Sequence, residues 1–244
     1  MIRSLMFLVL VMGMSSFAFA VDKKYFEIKK ITVTEVSDQY PLHSMADQPA
    51  IGEDCSTLAR PIVISRTGDP KLVGLNPLDQ LQVWVDQIIN IGKKIWAIVE
   101  SGKPVVSTKM DTASALPRGI QCWTDMAGWS APKSKAFRIQ YENAYGSDVV
   151  DFTYRIMFTA NGNVDGVGKY ITNATFIPAN IRVGWGFRFD ATAQIAAVFN
   201  QGTKQDPLAG MQMNMQWRVD SPMFHEETTE SFFVTGDNKL VKMK

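Results

Sequence analysis

The chain has 244 residues, 46% hydrophobic and 20% charged, with 25 Lys+Arg against 24 Asp+Glu, two Cys and two His. So high an apolar share with so small a net charge excludes a disordered chain, and two cysteines are too few for a disulfide-dense miniprotein. The missing basic excess argues against nucleic acid as a partner, and the sequence holds no GxGxxG, Walker, HExxH or GxSxG motif.

Residues 1–20 read as a secretory signal peptide. Arg3 is the charge of the n-region, Leu5 to Met14 the apolar run, and Ala18-Phe19-Ala20 a small-x-small cleavage site before Val21. The expected product is one β-rich domain over 21–244, exported to the periplasm or the medium, with outer-membrane association as an alternative. It is charge-neutral, 24 basic residues against 24 acidic, so net charge gives no steering toward phosphate or anionic lipid. In an oxidising compartment the two cysteines, Cys55 and Cys122, are expected to form one disulfide. The contrary reading makes Cys122 a catalytic thiol served by His225. It is disfavoured because Gly119-Ile120-Gln121 precedes the cysteine where papain-like proteases carry Cys-Gly-Ser.

Tyr25 to Val36 alternates loosely and predicts a strand with a bulge, and Ile62 to Ile64 a short strand. Over 77–101 the reading is a long amphipathic helix. Asn76 caps it, Leu78, Leu81, Val85, Ile88, Ile95 and Val99 form the stripe, and Gly102 with Pro104 stops it. The helix is expected to pack against a sheet. The alternative is lipid contact through Trp84 and Trp96, which the weakly basic polar face disfavours. Val105 and Val106 suggest one more short strand.

The C-terminal half is β. Phe137-Ile139-Tyr141, Val150 to Phe158, Val183 to Ala191 and Met211 to Val219 each alternate with polar residues at period two. Tyr170 to Ile177 and Ser231 to Val234 are further strands, with Pro178 and Pro207 at strand boundaries. Such strands build antiparallel sheets with one wet face, so the predicted fold is an antiparallel β-sandwich-like domain with the helix against it. A transmembrane barrel with Tyr154, Phe158, Tyr170 and Trp185 as girdles is the minority reading, because too few strands remain to close one.

Metal chemistry is not indicated. His43 and His225 are far apart in sequence, and Asn161 to Gly166 resembles a calcium loop whose twelfth position is Thr172 instead of Glu, so a hairpin turn is expected there. No cofactor is predicted. The polar parity of the sheet offers Arg155, Arg188, Gln212, Asn214, Gln216 and Arg218 as a candidate binding face, with Asp151, Asp190 and Asp220 as ion-pair partners. The expected function is therefore a non-catalytic envelope binding module for a protein or glycan. Two alternatives stay open: a membrane-active or outer-membrane β-protein, and a hydrolase using carboxylates near His225.

Overall fold

The computed structural model describes residues 23–40, 50–51, 84–105, 109–120 and 122–243. The leader, Cys55, the Ile62–Ile64 segment and the start of the expected helix lie outside them. A short helix, α1 (Lys23–Phe26), is followed by strands β1 (Ile28–Glu35), β2 (Ala50–Ile51), β3 (Trp84–Gly92), β4 (Ile95–Glu100), β5 (Lys103–Pro104), β6 (Lys109–Met110) and β7 (Ala113–Arg118). Then come β8 (Lys133–Asn143), β9 (Asp148–Val164), β10 (Val167–Val183), β11 (Arg188–Asn200), β12 (Ala209–Ser221), β13 (Phe224–Thr235) and β14 (Leu240–Lys242).

The strands make two six-stranded antiparallel sheets, ordered β1-β8-β9-β10-β7-β3 and β14-β13-β12-β11-β4-β5; β2 and β6 form a separate two-residue parallel pair. The alternating residues explain the stacking. Phe137, Phe152, Tyr154 and Phe176 of the first sheet meet Phe189 and Phe232 of the second, with ring centroids 5.0 Å apart for Phe137–Phe232 and Phe152–Phe189. Aromatic pairs at this spacing add stabilisation beyond the area they bury. Two polar bridges cross the interior. Trp217 Nε1 donates to Tyr141 Oη at 2.9 Å, and Tyr154 Oη donates to Glu230 Oε2 at 2.8 Å. Lys242 closes the second bridge by binding Glu230 and lying over the Phe137 ring. Burial, together with the Glu230 charge, pushes the Tyr154 hydroxyl well above its usual range.

The first sheet has no wet face along its central strand. In β9 the outward Asp151, Thr153, Arg155, Met157 and Thr159 are buried as well as the inward residues. Asp151, 2% exposed, is held by Arg138 Nε and Nη2 at 2.8 and 2.9 Å and by Arg182 Nη2 at 2.5 Å.

The expected helix over 77–101 is not formed in its described part: residues 84–92 and 95–100 are β3 and β4. The reason is local. β-Branched Val and Ile dominate the segment and favour a pleated surface. The register breaks between Trp84 and Ile88, so Val85, Ile88 and Ile91 all pack on the core at an interval of three, which imitates helical spacing. Gly92, at φ +94°, turns the chain from the first sheet into the second.

Other elements differ in detail. β1 carries the expected bulge, between Ile28 and Lys30. The alternation read from Val183 to Ala191 spans a sheet switch, because β10 ends at Val183 and β11 starts at Arg188. Pro178 lies inside β10 beside an irregularity, where a missing N–H is tolerated. Val105 falls just outside β5. The Asn161–Gly166 segment is a hairpin tip: Val164 pairs with Val167, and Asp165 and Gly166 both have positive φ, +48° and +79°, the signature of a two-residue primed turn.

Candidate functional site

The outer face of the second sheet is the candidate site. It is built by three neighbouring strands, β11, β12 and β13, whose register sets side chains in rows. Asp190, Arg218 and Glu227 form one row; Thr192, Gln216 and Thr229 the next; Gln194, Asn214 and Ser231 the third. Same-face residues recur about every 6.8 Å along a strand, and strands are about 4.8 Å apart, so the rows make a regular grid. A shallow depression of about 330 Å³ lies over the first two rows, lined by Asp190, Thr192, Gln216, Arg218, Glu227 and Thr229 among others.

The first row is charged and tied into an ion-pair network centred on Arg218. Arg218 Nε lies 2.9 Å from Asp220 Oδ2, and its two terminal nitrogens lie 3.5 Å from Asp190 Oδ2 and 3.9 Å from Glu227 Oε1. Asp190 also accepts from the Ser101 N–H at 2.7 Å and from Arg188 Nε at 2.8 Å. Burial alone would raise the Asp190 carboxyl, but the Ser101 N–H with the Arg188 and Arg218 guanidinium groups holds it below the usual range. His225 Nδ1 sits 2.5 Å from Asp220 Oδ1.

The second and third rows supply the chemistry of recognition. Thr192, Gln194, Gln216 and Thr229 make no side-chain hydrogen bond among the described residues, whereas Asn214 Oδ1 accepts from Ser231 Oγ at 3.0 Å and from Gln212 Nε2 at 3.4 Å. The grid therefore presents amide and hydroxyl donors and acceptors on a rigid support.

No protein-family model, curated protein or solved structure matches this chain.

Of the candidate face read from sequence, the structure gathers Arg188, Gln212, Asn214, Gln216 and Arg218 on this one surface. Arg155 does not belong to it. It stands on β9 of the other sheet, is 7% exposed, and donates from Nη2 to the Tyr40 carbonyl. Asp151 likewise serves Arg138 and Arg182 on that sheet. Period-two parity placed Arg155 correctly on a polar face but could not tell one sheet from the other. Sequence reasoning left out Thr192 and Thr229, which enter the site only through cross-strand register.

Trp96, named as a lipid contact, is 6% exposed and part of the core cluster, and Trp84 is the first residue of β3. Three of the four residues named as membrane girdles, Tyr154, Phe158 and Tyr170, are fully buried between the sheets, the opposite of a lipid-facing placement. No helix among the described residues is long and apolar enough to cross a membrane. Cys122 is 3% exposed and its sulfur accepts from Thr124 Oγ1 at 3.1 Å, while its proposed partner Cys55 lies outside the described residues. Among the described residues no group of three His, Cys, Asp or Glu side chains could hold a metal ion.

Proposed function

We propose that this chain is an exported, non-catalytic binding protein of the cell envelope, and that the outer face of its second sheet takes a neutral, hydroxyl-rich ligand such as a glycan. The observation that carries the reading is the depression over Thr192, Gln216 and Thr229, whose side chains are presented without partners beside Asn214. Hydrogen-bonding groups on a rigid element are preorganised for a ligand that pairs with them. The adjacent charges are Arg188 and Arg218 against Asp190, Asp220 and Glu227, a small negative balance that gives no attraction for an anionic ligand.

A hydrolytic alternative would need a carboxylic acid kept protonated near neutral pH. The carboxyls that shift, Glu35, Asp151, Asp190 and Asp237, all shift down, and at the depression Asp190, Asp220 and Glu227 share the single guanidinium of Arg218. That supports binding over catalysis. Export and a Cys55–Cys122 disulfide belong to the same proposal, supported by the leader pattern and the buried Cys122.

The test is an NMR titration of the labelled protein with neutral oligosaccharides of differing linkage. Side-chain amide resonances of Gln216 and Asn214 are expected to shift for at least one, and Gln216→Leu to weaken that binding about tenfold, as the loss of a paired amide does. Shifts that avoid β11, β12 and β13, or unchanged affinity in the variant, would overturn the assignment.

A further inference from the structure

The outer face of the second sheet continues past the amide rows. Register sets Ala197, Gln212 and Phe233 in a fourth row and Phe199, Gly210 and Thr235 in a fifth. Phe199 and Phe233 meet across β12 as a stacked pair, with centroids 5.5 Å apart and planes 23° from parallel. We propose that this pair is the stacking subsite of the face, an inference that rests on the glycan reading above. It takes one pyranose ring of a linear, gluco-configured chain, whose further sugars run along β12 over Gln212, Asn214 and Gln216.

Gly210 makes the platform possible. A Cβ there would meet Phe233 Cζ at 2.7 Å, so the ring tip reaches over the bare backbone of the central strand. A glycine inside a strand weakens it and marks a close approach. Shielding that backbone accounts for Phe233, because an aromatic neighbour offsets a strand glycine. It does not account for Phe199, which is 42% exposed and presents the pair to solvent. Val241, the register partner of Phe233 and 54% exposed, widens the apolar surface on the β14 side.

The chemistry of the face selects the occupant. A gluco-configured pyranose carries its hydroxyls equatorially around the rim and only C–H bonds on its two faces. The C–H faces suit the electron-rich face of a phenyl ring, and the rim hydroxyls suit amide side chains. From Gly210 to Gln216 the strand covers about 20 Å, several pyranose widths, so the ligand that meets both ring pair and depression is an extended oligomer. Other occupants fit less well. β12 is paired on both sides along its length, so an added peptide strand finds no free backbone there. A stable protein interface engages about 800 Å² on each partner. The apolar surface here is two phenyl rings and one valine, with Ile95 set apart on β4 beside Gln194.

The experiment titrates the full chain with cellohexaose, chitohexaose, maltohexaose and glucose, read by calorimetry and by NMR of the Phe rings and side-chain amides. One of the two extended β-1,4 hexamers is expected to shift the Phe199 and Phe233 ring signals together with the Gln216 amide, and to bind more tightly than coiled maltohexaose or glucose. Phe199→Leu keeps apolar bulk without a ring face and should weaken that binding about tenfold, whereas Phe199→Trp should strengthen it, both with an unchanged circular dichroism spectrum. Amide shifts without ring shifts, or equal affinity in the parent and both variants, overturn the subsite and leave the glycan reading standing. Silence toward every oligosaccharide overturns both. Ring shifts that follow protein concentration instead of sugar make the pair a contact between copies of the chain and overturn the proposal as well.

Discussion

Asp151 shows how one polar residue can secure an otherwise apolar strand. Its carboxylate is nearly inaccessible yet accepts from Arg138 twice and from Arg182, tying β8, β9 and β10 together on the outer side. Hydrogen bonding from Arg138 prevails over burial and, with Arg182, holds the carboxyl below the ordinary Asp range. A depressed folded-state value means that the unfolded chain binds the proton more readily. The stabilisation is therefore full above the unfolded value, about 4, and is lost as pH falls through the folded value. Asp151→Asn is expected to cost about 2 kcal/mol at neutral pH, below what breaking a fully buried pair costs because both arginines remain partly solvated. Urea titration of parent and variant should show the gap closing below about pH 4; a gap that persists in acid would mean the carboxylate charge is not its source. At this scale the sequence is informative about parity but not about partners. Arg155 and Asp151 share a face, yet Asp151 is served by residues thirteen and thirty-one positions away while Arg155 reaches back to Tyr40.

Elements were legible where alternation ran unbroken. Phe137–Tyr141, Val150–Phe158 and Met211–Val219 keep period two clearly enough to be read as strands, and all three fall inside longer strands, Lys133–Asn143, Asp148–Val164 and Ala209–Ser221. The reading of 84–100 as helix failed because an irregularity in β3 puts core contacts three residues apart, and because Gly92 is the corner between sheets. That corner is testable. A Cβ at Gly92 would stand 2.4 Å from the Thr112 carbonyl, on a backbone at φ +94°. Gly92→Ala should cost about 2–3 kcal/mol. Gly166→Ala, in the open hairpin tip with nothing near its Cβ, should cost only about 1 kcal/mol. Equal losses in thermal melts would show that the close approach at Gly92 carries no weight. The candidate grid was half legible for a related reason. Gln212, Asn214, Gln216 and Arg218 belong to one strand, while Thr192 and Thr229 join them only through pairing that period alone does not specify. Trp185 had a readable signal in its flanking Gly184 and Gly186, which break a strand more surely than they belong to one.

For the molecule as a whole, the proposed Cys55–Cys122 bridge would close a long loop and restrict the unfolded chain, worth about 4 kcal/mol in the chain-entropy picture. Reduction is then expected to lower Tm by roughly 10 °C, and the unreduced, denatured protein should give no reaction with a thiol reagent. Two titrating thiols would remove the bridge from the account. The two sheets differ from their edges inward. Residues 133–183 and 188–242 are consecutive meanders, and β1, β7 and β4 each dock on one of them: Ile31 on Tyr141, Ala115 on Ile171, Trp96 on Ala193. Among the described strands β1 thus waits for β8 and β4 for β11, while β3 and β7 can pair early but need β10 to join the sheet. Until then β1, β4 and the β3–β7 pair present open edges, a nascent chain that depends on escort against self-association until its own C-terminal half arrives to receive it.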